Sequence, residues 1–88
     1  MDDRIGKIAY SKAGRDAGRP FVVIEVVNEK NVLLADGDLR RIENPKLKNI
    51  KHIKITNSVA NEVLAYLVKG EMPENHIIRK NLKQIIKG

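Results

Sequence analysis

Apolar and polar residues alternate through the first half of the chain and recur every three or four positions through the second. Ile5 to Tyr10 places Gly6, Ile8 and Tyr10 on one face of an extended segment. Phe21 to Val27 is β-branched and aromatic, and reads as a strand with Val22, Ile24 and Val26 inward and Glu25 outward. Asn28 to Asn31 reads as a turn into a third strand, Asn31 to Ala35. Asp36-Gly37 predicts a tight hairpin, because both residues tolerate positive φ, and Asp38 to Glu43 is expected to return as a fourth strand. Pro45 then interrupts a basic loop, Asn44 to Asn49, before a fifth strand, Ile50 to Ile55, with Ile53 and Ile55 inward. Strands this short, separated by tight turns, predict a small closed or nearly closed barrel, which would hide its edges.

From Thr56 onward the period lengthens. Thr56-Asn57-Ser58 supplies N-cap oxygens, and Ala60, Val63, Leu64, Leu67 and Val68 form one stripe that ends at Gly70, a C-cap residue. Met72-Pro73-Glu74 opens a second helix whose apolar face is Ile78, Leu82, Ile85 and Ile86, with His76, Lys80, Lys83 and Lys87 on another stripe. The expected architecture is therefore mainly β with a C-terminal α part: a five-stranded barrel over residues 1–56 and a helical pair over 57–88, packed on the barrel or on itself.

The 88 residues suffice for one small domain, and 42% hydrophobic content supports a modest core rather than a disordered chain. The 17 Lys and Arg exceed the 11 Asp and Glu by six, which raises the expectation of a polyanionic partner. Most of that excess lies between Arg40 and Lys54, where six cations accompany one anion, Glu43. A second group, Lys7, Lys12, Arg15 and Arg19, has only Asp16 within it. Only Tyr10, Phe21 and Tyr66 are aromatic, so a multi-aromatic base-stacking platform is not expected. Without cysteine there is no disulfide, thiolate zinc site or Cys nucleophile. No apolar run approaches the roughly 20 residues that span a bilayer. The polar start Met1-Asp2-Asp3-Arg4 shows no secretory signal, so a cytoplasmic protein without a membrane partner is expected.

No nucleophile–base set, phosphate-loop signature or metal cluster is present, so neither an enzyme nor a cofactor is expected. His52 has no matching ligand set and reads as structural or RNA-facing, and His76 as a polar helix position. Asp36 and Asp38 flank a turn glycine, which explains them better than a carboxylate pair does. Asp16 reads as an orienter of Arg15 or Arg19, or as a loop cap. Tyr10 reads as core, and Phe21 as either core or a stacking surface. The cations between Arg40 and Lys54 fit a solvated face and a binding surface about equally well.

The segment Gly6-Lys7-Ile8-Ala9-Tyr10-Ser11-Lys12-Ala13-Gly14-Arg15-Asp16-Ala17-Gly18-Arg19-Pro20-Phe21-Val22-Val23 resembles the KOW motif, in which a strand, a glycine-punctuated basic loop and a second strand begin an SH3-like barrel. The stretches Ser11 to Pro20, Asp36 to Arg41 and Asn49 to Ile53, leading to Thr56, resemble bacterial KOW-domain RNA-binding proteins most closely. These look like short relatives of an archaeal and eukaryotic large-subunit ribosomal protein family. The likeness covers roughly Ile5 to Thr56, and Pro20 departs from many KOW motifs. It implies a monomeric RNA-binding protein of the translation machinery, taking structured, ribosomal RNA or the ribosome. The RNA-binding residues it implies are Lys12, Arg15, Arg19, Arg40, Arg41, Lys46, Lys48, Lys51 and Lys54, with Gly14, Gly18, Pro20 and Gly37 shaping the loops. The alternative is an adapter that uses barrel and helical tail to hold a ribosomal or transcription protein.

Overall fold

In the computed structural model, which describes residues 1–87 apart from the Lys87 side chain, strand β2 (Pro20–Val26) organises the rest. Phe21, Val22, Val23 and Ile24 are all buried, so β2 is covered on both faces rather than one. Five antiparallel strands form a sheet in the order β4-β3-β2-β1-β5, with β1 at Lys7–Ser11, β3 at Asn31–Ala35, β4 at Lys46–Asn49 and β5 at Ile53–Val59. Helices α1 (Asn61–Val68) and α2 (Asn75–Lys87) follow, so the mainly β fold with a C-terminal α part is as expected. Residue 88 of the expected helical segment lies outside the described residues.

Two apolar clusters account for the double burial. On one face Ile8, Val22, Ile24 and Ala35 pack against Ala60, Val63, Ile78 and Leu82 of the helical part. On the other, Ala9, Phe21, Val23, Val32, Leu34 and Ile53 fill the hollow of the curled sheet. Phe21 is therefore core and not a stacking surface, and Tyr10 packs beside the helices. Removing side chains such as Ile78 and Val63 from water contributes about 1.5–3 kcal/mol each, which is what fixes the tail to the sheet.

The expected barrel is an open sheet. No ladder joins β4 to β5, because the 3-10 turn Ile50–His52 carries the chain directly from one edge strand to the other. Single backbone bonds tie this turn down instead: Ile50 N–H donates to Lys30 O, and Lys12 N–H donates to His52 O, both at 2.8 Å.

The fourth strand also lies elsewhere than expected. Asp38–Glu43 forms no strand, and β4 instead occupies Lys46–Asn49, inside the segment read as a basic loop. Asp36 Oδ1 accepts the Asp38 and Arg40 N–H groups at 2.9 and 2.8 Å, so the turn folds tightly on itself instead of launching a strand. Asn75 of α2 then captures the continuing chain, accepting Ile42 N–H at 2.8 Å and donating to Glu43 Oε1 at 2.8 Å.

Two further boundaries shift. Ile50–His52 forms the turn, with Asn49 Oδ1 accepting Lys51 N–H, and β5 starts at Ile53. Thr56-Asn57-Ser58, expected as a cap, lies within β5, and Thr56 Oγ1 donates to Ile8 O at 2.8 Å. The N-terminal N–H groups of α1 that lack partners within the helix are met from outside: Asn81 Oδ1 accepts from Glu62 and Val63. At the other end Gly70, at φ +77°, closes α1 as expected, with Glu71 N–H donating to Tyr66 O and Gly70 N–H to Leu67 O.

Candidate nucleic-acid interface

The β1–β2 loop carries Lys12, Arg15 and Arg19 between two strands that fix both of its ends. Ser11 and Gly18 close it: Ser11 N–H donates to Arg19 O and Gly18 N–H to Ser11 O. Gly14 and Gly18 hold φ of +79° and +83°, and a Cβ on either would meet nothing within 4 Å. Their value here is the left-handed turn itself, not a close backbone approach. Lys12, Arg15 and Arg19 are all exposed.

Three contacts set the loop among the other basic segments. Asp16 Oδ2 accepts from Lys46 Nζ of β4 at 2.7 Å. Lys12 N–H reaches His52 O, beside Lys51. Arg19 lies 3.8 Å from Asp36, whose other oxygen organises the turn that leads to Arg40 and Arg41. The loop and the Arg40–Lys54 segment are thus in contact, but the carboxylate of Asp16 pairs with Lys46 and not with Arg15 or Arg19 as expected.

Strand register sorts the remaining cations. Lys46 lies opposite Leu34 and Lys48 opposite Val32, both in the cluster inside the curl, so the two lysines rise from that face at the edge of the sheet. Lys54 lies opposite Tyr10, which packs on the other cluster, and so stands on the helical face with its side chain exposed. Lys51 is exposed on the 3-10 turn, Arg40 is half-buried, and Arg41 is exposed 3.5 Å from Glu43. Of the nine cations the sequence singles out, Arg19, Arg41 and Lys46 touch an acid, whereas Lys12, Arg15, Arg40, Lys48, Lys51 and Lys54 form no ion pair among the described residues.

Local electrostatics follow from these contacts. The Lys46 ammonium on Asp16 holds that carboxyl below the usual carboxylate range against the effect of burial, with Lys48 and Arg19 adding to the shift. The backbone N–H of Glu43, followed by Asn75 and Arg41, lowers the Glu43 carboxyl. Away from the interface, Arg4 pairs with Asp2 and lowers it to about 2.

Two cations of α2, Arg79 and Lys83, reach the same neighbourhood. Arg79 Nη1 donates to Gly37 O, and Arg79 and Lys83 line a hollow of about 180 Å³ together with Arg19, Asp36 and Asp38. The signal for them in the sequence is the spacing of His76, Arg79, Lys80 and Lys83, which share one side of a helix. Among the described residues no group of His, Asp and Glu comes together as a metal site, and no helix is long and apolar enough to cross a membrane.

Comparison with known proteins places the chain beside ribosome-related ones. It is 36% identical over 59 residues to the Bacillus subtilis protein YbzG, named as a candidate ribosome-binding protein, covering 67% of this chain and 80% of that one. It is 32% identical over 53 residues to large ribosomal subunit protein eL14 of Methanococcus vannielii, covering 60% of this chain and 62% of that one. No protein-family model matches.

Proposed function

The chain belongs to the family of YbzG, and from that premise we propose that it is a ribosome-associated, RNA-binding protein of the translation machinery, cytoplasmic and monomeric. Its ligand in this reading is structured, ribosomal RNA. The KOW-like loop Lys12–Arg19 supplies one row of cations, and β4 with the following turn supplies Lys46, Lys48 and Lys51 as the next. The observation that carries the reading is the Asp16–Lys46 contact at 2.7 Å, which sets the two basic segments side by side. The name of eL14 supports the same assignment from the relatives' side.

The chemistry is phosphate neutralisation with recognition of shape. Arg15 and Arg19 offer planar forks to phosphate oxygens, and the lysines act as point charges. Phe21 is buried and Tyr10 packs on the core, which leaves little for base stacking and favours modest sequence specificity. Neutralising about five phosphates gives log K against log salt a slope of roughly −3.5 to −4.5. Filter binding to ribosomal RNA fragments over a salt series measures it. Lys12→Glu, Arg15→Glu and Lys48→Glu together are expected to abolish retention. No binding at low salt, or affinity indifferent to salt, would overturn the proposal.

The adapter reading retains one specific support. Met1, Ile5, Ile24, Leu67 and Met72 line a hollow of about 250 Å³ away from the basic loops, and Met72 is exposed. Pull-down before and after nuclease treatment separates the two: RNA-mediated association disappears with nuclease, and a protein held by the apolar hollow remains.

A further inference from the structure

Helix α2 presents two different sides. Ile78 and Leu82 are buried in the core and Ile85 packs against it. On another side His76, Arg79, Lys80, Lys83 and Gln84 line a groove of about 440 Å³ with no carboxylate in its wall. From His76 to Lys83 this groove follows about 10 Å of helix axis. Lys80 reaches Glu62 at 3.3 Å and His76 reaches Glu74 at 3.1 Å, both at exposed positions where ion pairs are weak. Arg79 and Lys83 contact no acid within ion-pair distance among the described residues.

The groove adjoins a smaller hollow that reaches the end of the β1–β2 loop. Arg79 and Lys83 line both the groove and the smaller hollow that contains Arg19. Asp36 and Asp38 also line that hollow: Asp36 is buried, accepts two backbone N–H groups and faces Arg19, and Asp38 is an exposed carboxylate set against the three cations Arg19, Arg79 and Lys83. The cationic surface therefore passes from the loop, across Arg19, to the carboxylate-free wall of α2. The Arg79 guanidinium donates to Gly37 O through one nitrogen, which leaves further N–H groups for a ligand.

We infer that the groove of α2 is a second phosphate-binding surface, over which an RNA strand leaving the loop at Arg19 continues along Arg79 and Lys83. This rests on the RNA-binding reading above and extends it to the helical tail. The interface then has two parts, a loop that meets the RNA first and a helix that lengthens the backbone contact.

The test compares wild type with two sets of variants on the same labelled ribosomal RNA fragments, each over a salt series. Arg79→Gln with Lys83→Gln should weaken binding about tenfold or more at low salt and flatten the log–log slope by about 1.4 to 1.8, as for two lost phosphate contacts. Because Arg79 also holds Gly37, Lys83→Gln alone is the second variant; its side chain makes no hydrogen bond or ion pair among the described residues, and it should flatten the slope by about 0.7 to 0.9. Unchanged slope and affinity in Lys83→Gln, while Lys12→Glu with Arg15→Glu lose binding, would overturn this inference and leave the loop reading standing. A wild-type protein without affinity for RNA would overturn the loop reading itself.

Discussion

Gly37 sits at φ +77° against the backbone of α2, and a methyl group there would overlap the Asn75 carbonyl oxygen. Gly18 has nearly the same φ but open space where its Cβ would be. The pair separates two costs. Left-handed backbone alone costs an L-residue about 1–2 kcal/mol, and forced overlap in a packed region adds about 1–3 kcal/mol. Gly18→Ala should therefore lose only the first amount and Gly37→Ala the sum, as read from urea-denaturation midpoints. Equal losses would mean that the contact with α2 does not constrain the turn. The turn was legible in the sequence because Asp36-Gly37 is a local signal. Its packing against a residue 38 positions later was not, because nothing local encodes it.

At the scale of elements, the boundaries depend on two asparagines that look unremarkable in the sequence. Asn75 diverts the expected fourth strand into a loop, and Asn81 caps α1 from the neighbouring helix. Both are buried, and each satisfies polar groups that would otherwise be left without partners. Asn81→Ala removes acceptors from two N–H groups of α1 and should cost about 0.5–2 kcal/mol, in the range of an ordinary N-cap. Hydrogen exchange at Glu62 and Val63 should quicken accordingly, and unchanged protection would refute the capping role. Strands β2 and β3 were legible because their β-branched runs decide the structure locally. Strand β4, Lys46–Asn49, was not, because an edge strand with alternating lysines looks like a basic loop until its partner is known.

For the whole molecule, the Asp16–Lys46 pair bridges the β1–β2 loop and the far edge strand, where the sheet has no closing ladder. The lowered Asp16 carboxyl means that this bridge stabilises the fold fully above the ordinary aspartate value, near pH 3.9. It is lost as pH falls through the lower folded value. At neutral pH Asp16→Asn should cost about 0.2–1 kcal/mol. The gap between variant and wild type should narrow from about pH 4 downward. Urea titrations from neutral pH to pH 2 test this, and a gap constant over the range would exclude the bridge. The candidate site itself was legible as charge, through Lys12, Arg15, Arg19 and the lysines of β4. Its extension to Arg79 and Lys83 was not, since only the docking of α2 against Gly37 brings them beside the loop.

That docking also orders events at synthesis. Beyond its own local bonds, the turn that carries Arg40 and Arg41 is docked by residues made 33 to 42 positions later. A growing chain halted before Asn75 has already produced its basic loops but lacks the bonds that dock the middle one on α2, and Ile8, Val22 and Ile24 lack the Ile78 and Leu82 that cover them. Cationic charge thus emerges well before the helical packing that positions it.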